Sequence, residues 1–162
     1  MSNPRPAKRV RRPIVSAVLD DGTLVEAIYR PERHETTFVT YRDGRLDEGR
    51  ELDLPRLGPV IPYSPDNNLL THRVLLLPSD AFAYESEKTL LRAVRAFIHS
   101  YADLTESFEE IAGYFILLTW IYDTFSEVPY LRFKGDFGSG KSRCLQTIGS
   151  LCYKPMFASG AS

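Results

Sequence analysis

An α/β fold preceded by a small β-rich module is predicted for this chain, and three observations predict it. Short apolar runs with a period of two, separated by tight turn signals, occupy 14–78; the period then lengthens to 3.6 across two helical stretches. A strand, a glycine-rich loop and a helix follow one another over 128–152, the order in which a parallel sheet begins. The expected division is a disordered basic arm at 1–13, the β-rich module at 14–78, and at 79–162 a helical lead-in that runs into a truncated parallel sheet. A chain of 162 residues, 43% hydrophobic and 25% charged, suffices for one domain or two small ones. Its net charge of −1 argues against a generally basic nucleic-acid binder.

Charge is nevertheless uneven. Arg5, Lys8, Arg9, Arg11 and Arg12 crowd the start together with Pro4, Pro6 and Pro13, a composition that favours a disordered arm, either simply solvated or in contact with nucleic-acid phosphates. In the module, apolar runs at 14–19 and 24–29 flank Asp20-Asp21-Gly22 as a hairpin, and a run at 36–41 ends at Arg42-Asp43-Gly44. Two more strands are expected at 60–63 and 73–77, divided by the loop Ser64-Pro65-Asp66-Asn67-Asn68. Leu90, Val94, Phe97 and Tyr101, widened by Leu91 and Ile98, then form the apolar stripe of a helix for which Ser86 is the expected N-cap. A second helix, over about 107–125, is apolar nearly all round and so should be packed on more than one side.

Gly135-Asp136-Phe137-Gly138-Ser139-Gly140-Lys141-Ser142 matches the phosphate-binding pattern GxxxxGK[ST] at every fixed position. Glycines at 135, 138 and 140 let bare backbone approach phosphate oxygens, with Ser139 between them. Lys141 would reach the β and γ phosphates, and the Ser142 hydroxyl would coordinate Mg²⁺. The start of the following helix points partial positive charge at the anion, and Arg143 completes the candidate set. Upstream, 128–133 reads as a strand with Tyr130, Leu131 and Phe133 as apolar members, although Arg132 and Lys134 imply that one face is wet or covered by another segment. Downstream, Leu145, Ile148, Gly149 and Cys152 lie on one face of a helix over 140–152. The carboxylate of Asp136 should point outward or pair with Lys134 or Arg143 rather than face a triphosphate. The plainer alternative is a glycine-rich turn that binds nothing.

Other chemistry is weaker. An ATPase needs an acidic strand end, and only 15–21 (VSAVLDD) resembles one; a hairpin turn through Gly22 explains it better. His34, His72 and His99 have no ligand spacing and no matching nucleophile. Cys144 and Cys152, eight residues apart on one helix, cannot bridge and are expected to be reduced, packed thiols of a cytoplasmic protein. The start is charged with no apolar signal region after it, and the stretch 113–122 is too short to span a bilayer, so no membrane partner is expected.

The stretch 129–162 (PYLRFKGDFGSGKSRCLQTIGSLCYKPMFASGAS), preceded by an apolar helix, resembles the opening of the ATPase domain in helicase-like P-loop proteins of phages, plasmids and mobile elements. The resemblance implies ATP and magnesium as cofactors, phosphate contact by Gly138, Ser139, Gly140 and Lys141, and magnesium coordination by Ser142. It also implies DNA as a partner and a homo-oligomer for the full-length parent. In such proteins a strand, here beginning at Pro155-Met156-Phe157-Ala158, leads to the Walker B acid, a polar sensor and an arginine finger; no Asp or Glu follows Ser142 in this chain. The expectation is therefore an N-terminal fragment of a larger ATPase that exposes the apolar side of the helix carrying Cys144. A non-hydrolysing regulatory module, and a P-loop kinase or GTPase fragment, remain alternatives.

Overall fold

The computed structural model describes residues 10–158, which form two compact units. The first runs to Arg73 and includes Leu77–Ala81; the second comprises Val74–Leu76 and the chain from Phe82 onward. Arg5, Lys8 and Arg9, which carry most of the proposed basic arm, lie outside the described residues.

Seven strands build the first unit: β1 (Arg12–Ile14), β2 (Ser16–Val18), β3 (Leu24–Arg30), β4 (Glu35–Arg42), β5 (Arg45–Gly49), β6 (Leu52–Leu54) and β7 (Gly58–Pro62). Strands β2 to β5 pair antiparallel in sequence order, and β1, β7 and β6 make a second sheet in that order. The Asp20-Asp21-Gly22 hairpin joins β2 to β3: the Asp21 carboxylate accepts the Thr23 N–H at 3.0 Å, and Gly22 takes the left-handed conformation that closes the turn. Asp43 and Gly44, both with positive φ, make the two-residue turn between β4 and β5, whose twist suits paired strands. Val25, Ala27, Phe38, Leu54 and Val60 form the core of this unit.

The arm begins to fold earlier than its composition suggests. Arg12 and Pro13 belong to β1, which pairs in parallel with β7, placing Arg12 beside Val60 and Pro13 beside Ile61. Proline is tolerated because β1 is an edge strand, and Ile14 holds the segment down by packing on the core. This is the parallel pair of the fold, and it lies in the first unit. Residues 73–77 form no strand; a single bridge from Leu75 to Met156 replaces the one expected there, and among the described residues the same bridge is all that forms of the strand expected at Pro155. Asn67, read as loop, caps a one-turn helix, α1 (Asn68–Thr71), by accepting the Leu69 N–H at 2.9 Å.

Three helices dominate the second unit: α2 (Glu87–Tyr101), α3 (Glu106–Thr119) and α4 (Lys141–Gly149). Ser86 caps α2 as expected, its hydroxyl accepting the Thr89 N–H at 3.2 Å. The stripe of α2 is rotated from the expected one. Ile98 is fully buried with Val94 packed beside it, whereas Phe97 and Tyr101 stay exposed and stack on each other at 4.8 Å. Contact with α3 and α4 selects this face: Ile98, Ala102, Ala112, Ile116, Cys144 and Ile148 form one cluster. Gly113 lets α3 approach α2 closely, since a Cβ there would sit 2.8 Å from Leu91 Cδ1. Helix α3 stops at Thr119, short of the expected 125, and a 3-10 turn at Tyr122–Thr124 follows. Tertiary bonds fix this end, with Trp120 Nε1 donating to the Leu151 carbonyl at 2.9 Å and the Tyr153 N–H donating to Thr119 Oγ1 at 2.9 Å.

One polar network in the first unit is a pH handle. Arg30 donates twice to Glu48, once at 3.0 Å, and Thr37 Oγ1 donates to the same carboxylate at 2.7 Å. The Arg30 bonds first, then Thr37, lower the Glu48 carboxyl from its ordinary 4.5 to about 2. A carboxyl held below its unfolded value stabilises the fold fully above that value, and the contribution is lost as pH falls through the folded one. The thermal midpoint should therefore drop between pH 4.5 and about 2, and the drop should be shallower in Glu48→Gln, as measured by circular dichroism melting across pH.

Candidate phosphate-binding loop

Chain 128–136 approaches the loop without regular secondary structure, so the strand expected at 128–133 does not form. Strand assignment requires a neighbour, and among the described residues no strand of the second unit lies alongside. The alternation survives without the ladder. Leu131 and Phe133 pack against the helical core while Arg132 and Lys134 are exposed, which explains two charges in a segment that the expectation had placed in a buried sheet.

Glycine chemistry shapes the loop itself. Gly138 and Gly140 have φ of +79° and +78°, in the left-handed region that a Cβ disfavours. Gly135 has a different reason: a Cβ there would come within 2.7 Å of Ser139 Oγ, so the chain crosses closely over Ser139. A turn is closed by the Ser139 N–H donating to the Asp136 carbonyl at 3.3 Å. Phe137 stands wholly exposed at the tip.

Helix α4 starts immediately after Gly140. Its first intrahelical bond runs from the Cys144 N–H to the Gly140 carbonyl at 3.0 Å, so the N–H groups of Lys141, Ser142 and Arg143 precede any helical acceptor. Gly140 has no side chain with which to cap them, and no cap bond forms. Three amide donors and the positive end of the helix dipole thus converge where the loop closes. Lys141 turns back over the loop, its ammonium donating to the Gly135 carbonyl at 2.8 Å, to the Asp136 carbonyl and to Ser139 Oγ at 3.2 Å. It is the backbone of Asp136, not its carboxylate, that meets Lys141. Ser142 and Arg143 are exposed on the first turn. Gly135, Gly138, Ser139, Gly140, Lys141, Ser142 and Arg143 are thereby gathered within one turn of loop and one turn of helix. The two backbone carbonyls on Lys141 are the functional groups that sequence reading misses, because every residue type carries a carbonyl and only geometry singles these out.

The helix is held from behind by Cys144, Thr147 and Ile148, all buried. This corrects two expectations. Leu145, placed in the apolar stripe, is 55% exposed, and the apolar side of the helix, expected to be bare, is covered where Ile148 enters the α2–α3 core; Cys144 beside it is a packed thiol, as expected. The contact face turns by one residue because Ala112 and Ile116 of α3 and Ile98 of α2 meet α4 on the Cys144 side. Helix α4 also ends at Gly149 rather than Cys152, and Phe157 lies so close there that a Cβ on Gly149 would come within 2.8 Å of its ring.

The remaining candidates are engaged elsewhere. Asp20 and Asp21 occupy the hairpin turn, paired with Arg56 at 2.9 Å and Arg42 at 3.0 Å respectively. His34 bonds Asp66 at 2.8 Å, His99 bonds Glu109 at 2.7 Å, and His72 is the C-cap of α1. Both cysteines are free thiols, and burial pushes the Cys152 thiol above its ordinary value. Among the described residues no group of three or more His, Cys, Asp or Glu gathers to hold a metal. No described helix is long and apolar enough to cross a membrane.

The donors present suit a polyphosphate: uncapped amides for its oxygens, an ammonium at the loop centre and a hydroxyl one residue further on. The left-handed Gly140 is the conformational requirement on which this rests. Nothing lies within 4 Å of a Cβ at Gly140, so Gly140→Ala should act through the backbone alone and cost about 1–2 kcal/mol. Chemical denaturation checks this, and an unchanged midpoint would contradict the left-handed turn. Comparison with known proteins gives no match for this chain among family models, curated proteins or solved structures.

Proposed function

We propose that the chain binds a magnesium–nucleoside triphosphate, ATP first, on the loop 135–142, as the nucleotide-binding part of a helicase-like ATPase that acts on DNA. The observation that carries this reading is the uncapped start of α4 behind two left-handed glycines, with the Lys141 ammonium already directed onto the loop. The N–H groups of 141–143 donate to phosphate oxygens. Lys141 exchanges backbone carbonyls for the β and γ oxygens, so a charged donor trades neutral acceptors for anionic ones, which form stronger bonds. Mg²⁺ keeps several waters and takes phosphate oxygens plus one or two protein ligands, a role the Ser142 hydroxyl fills. The helicase-like and DNA-acting part of the reading is supported by the resemblance of 129–162 alone.

A non-hydrolysing regulatory module, or a kinase or GTPase, would use the same cradle and differ in turnover or base. Isothermal titration with Mg-ATP and Mg-GTP, paired with a phosphate-release assay, sorts these readings. Binding should weaken roughly 10- to 100-fold in Lys141→Ala, the loss of a hydrogen bond to a charged group. Wild-type protein that binds no triphosphate, or a Lys141→Ala protein that binds as well, contradicts the proposal.

A further inference from the structure

A second surface, independent of the triphosphate loop, lies on the helical pair. Lys88, Arg92, Arg95 and His99 follow one another at intervals of four, three and four, which puts four basic side chains on one face of α2 over about 16 Å of helix. They line a groove of about 500 Å³ whose lining also includes the aliphatic Leu91 and, from α3, the ring of Tyr114. Among the described residues neither Lys88 nor Arg92 forms an ion pair. Two carboxylates of α3 temper the charge without cancelling it. Glu109 is nearly buried and bound to His99 Nδ1 at 2.7 Å, while Glu106 is 88% exposed and only 3.5 Å from Arg95. Tyr114 is exposed and unengaged by the core.

We propose that a single strand of nucleic acid docks along this groove, with phosphates on Lys88, Arg92 and Arg95 and an unstacked base on the Tyr114 ring. A linear stripe of cations suits a linear polyanion, and one exposed aromatic beside it supplies the stacking platform that sequence-tolerant strand binders use. A duplex keeps its bases stacked inside and offers Tyr114 no face. A planar bilayer would meet the α2 stripe but not a ring set in the groove wall, and an acidic peptide would have no use for the ring.

The test is fluorescence anisotropy of a labelled oligothymidylate of about fifteen nucleotides, within the usual span of such sites, with the full chain at several salt concentrations. Lys88→Glu/Arg92→Glu should weaken binding roughly 10- to 100-fold and reduce the salt slope by about 2. Tyr114→Ala should weaken it roughly tenfold at unchanged slope. All three substitutions are at exposed positions, and a melting curve for each variant shows whether the fold is retained. Equal binding by folded variants overturns the proposal. So does competition by polyglutamate, by duplex DNA or by phosphatidylserine vesicles that is as strong as competition by unlabelled single strand.

Discussion

Three amide N–H groups at the start of α4 have no acceptor in their own helix, and the residue before them has no side chain to offer one. Most helices solve this with a Ser, Thr, Asp or Asn cap, as α1 does through Asn67 and α2 through Ser86 in the same chain. At α4 the chain instead enters through a glycine in the left-handed conformation and places the next residue's ammonium over the loop carbonyls. Positive charge is thereby concentrated rather than neutralised. The rest of the second unit can be understood as the support for that end: Cys144 and Ile148 anchor the helix in the cluster made by α2 and α3, and Leu131 with Phe133 fix the incoming chain on the same core.

Features that depend on local chemistry were legible in the sequence. The Ser86 cap, the Asp20-Asp21-Gly22 hairpin and the glycine spacing of the loop each follow from what a few neighbouring residues can do with their own backbone. What depends on distant partners was not. The expected stripe of α2 holds at Val94 and Ile98 but not at Phe97 and Tyr101, which are just as apolar, and only contact with α3 and α4 decides among them. Strand β5, with the sequence RLDEG, is almost wholly exposed and carries no alternation to detect; its pairing with β4 comes from the turn at Asp43-Gly44. The segment 128–133 has the alternation of a strand, with Leu131 and Phe133 half-buried and Tyr130 left wholly exposed, yet it lacks a partner, and hydrogen-bonded pairing is not written in the residues themselves.

Within the candidate site, the residue set was legible and its internal wiring was not. Spacing alone nominated Gly135 through Arg143, but it is the geometry that ties the Lys141 ammonium to the carbonyls of Gly135 and Asp136 and shows that Gly135 is required by Ser139 rather than by a turn angle. The basic face of α2 could have been found from its helical spacing. The groove is not legible there, because its Tyr114 wall comes from a different helix.

If the amides at the start of α4 receive phosphate oxygens, two-dimensional amide NMR during titration reports it atom by atom. Addition of Mg-ATP should shift the backbone resonances of 138–143 most strongly, and AMP, which has the same base and sugar without the β and γ phosphates, should leave them nearly in place. Shifts centred elsewhere, or equal responses to ATP and AMP, would contradict the account.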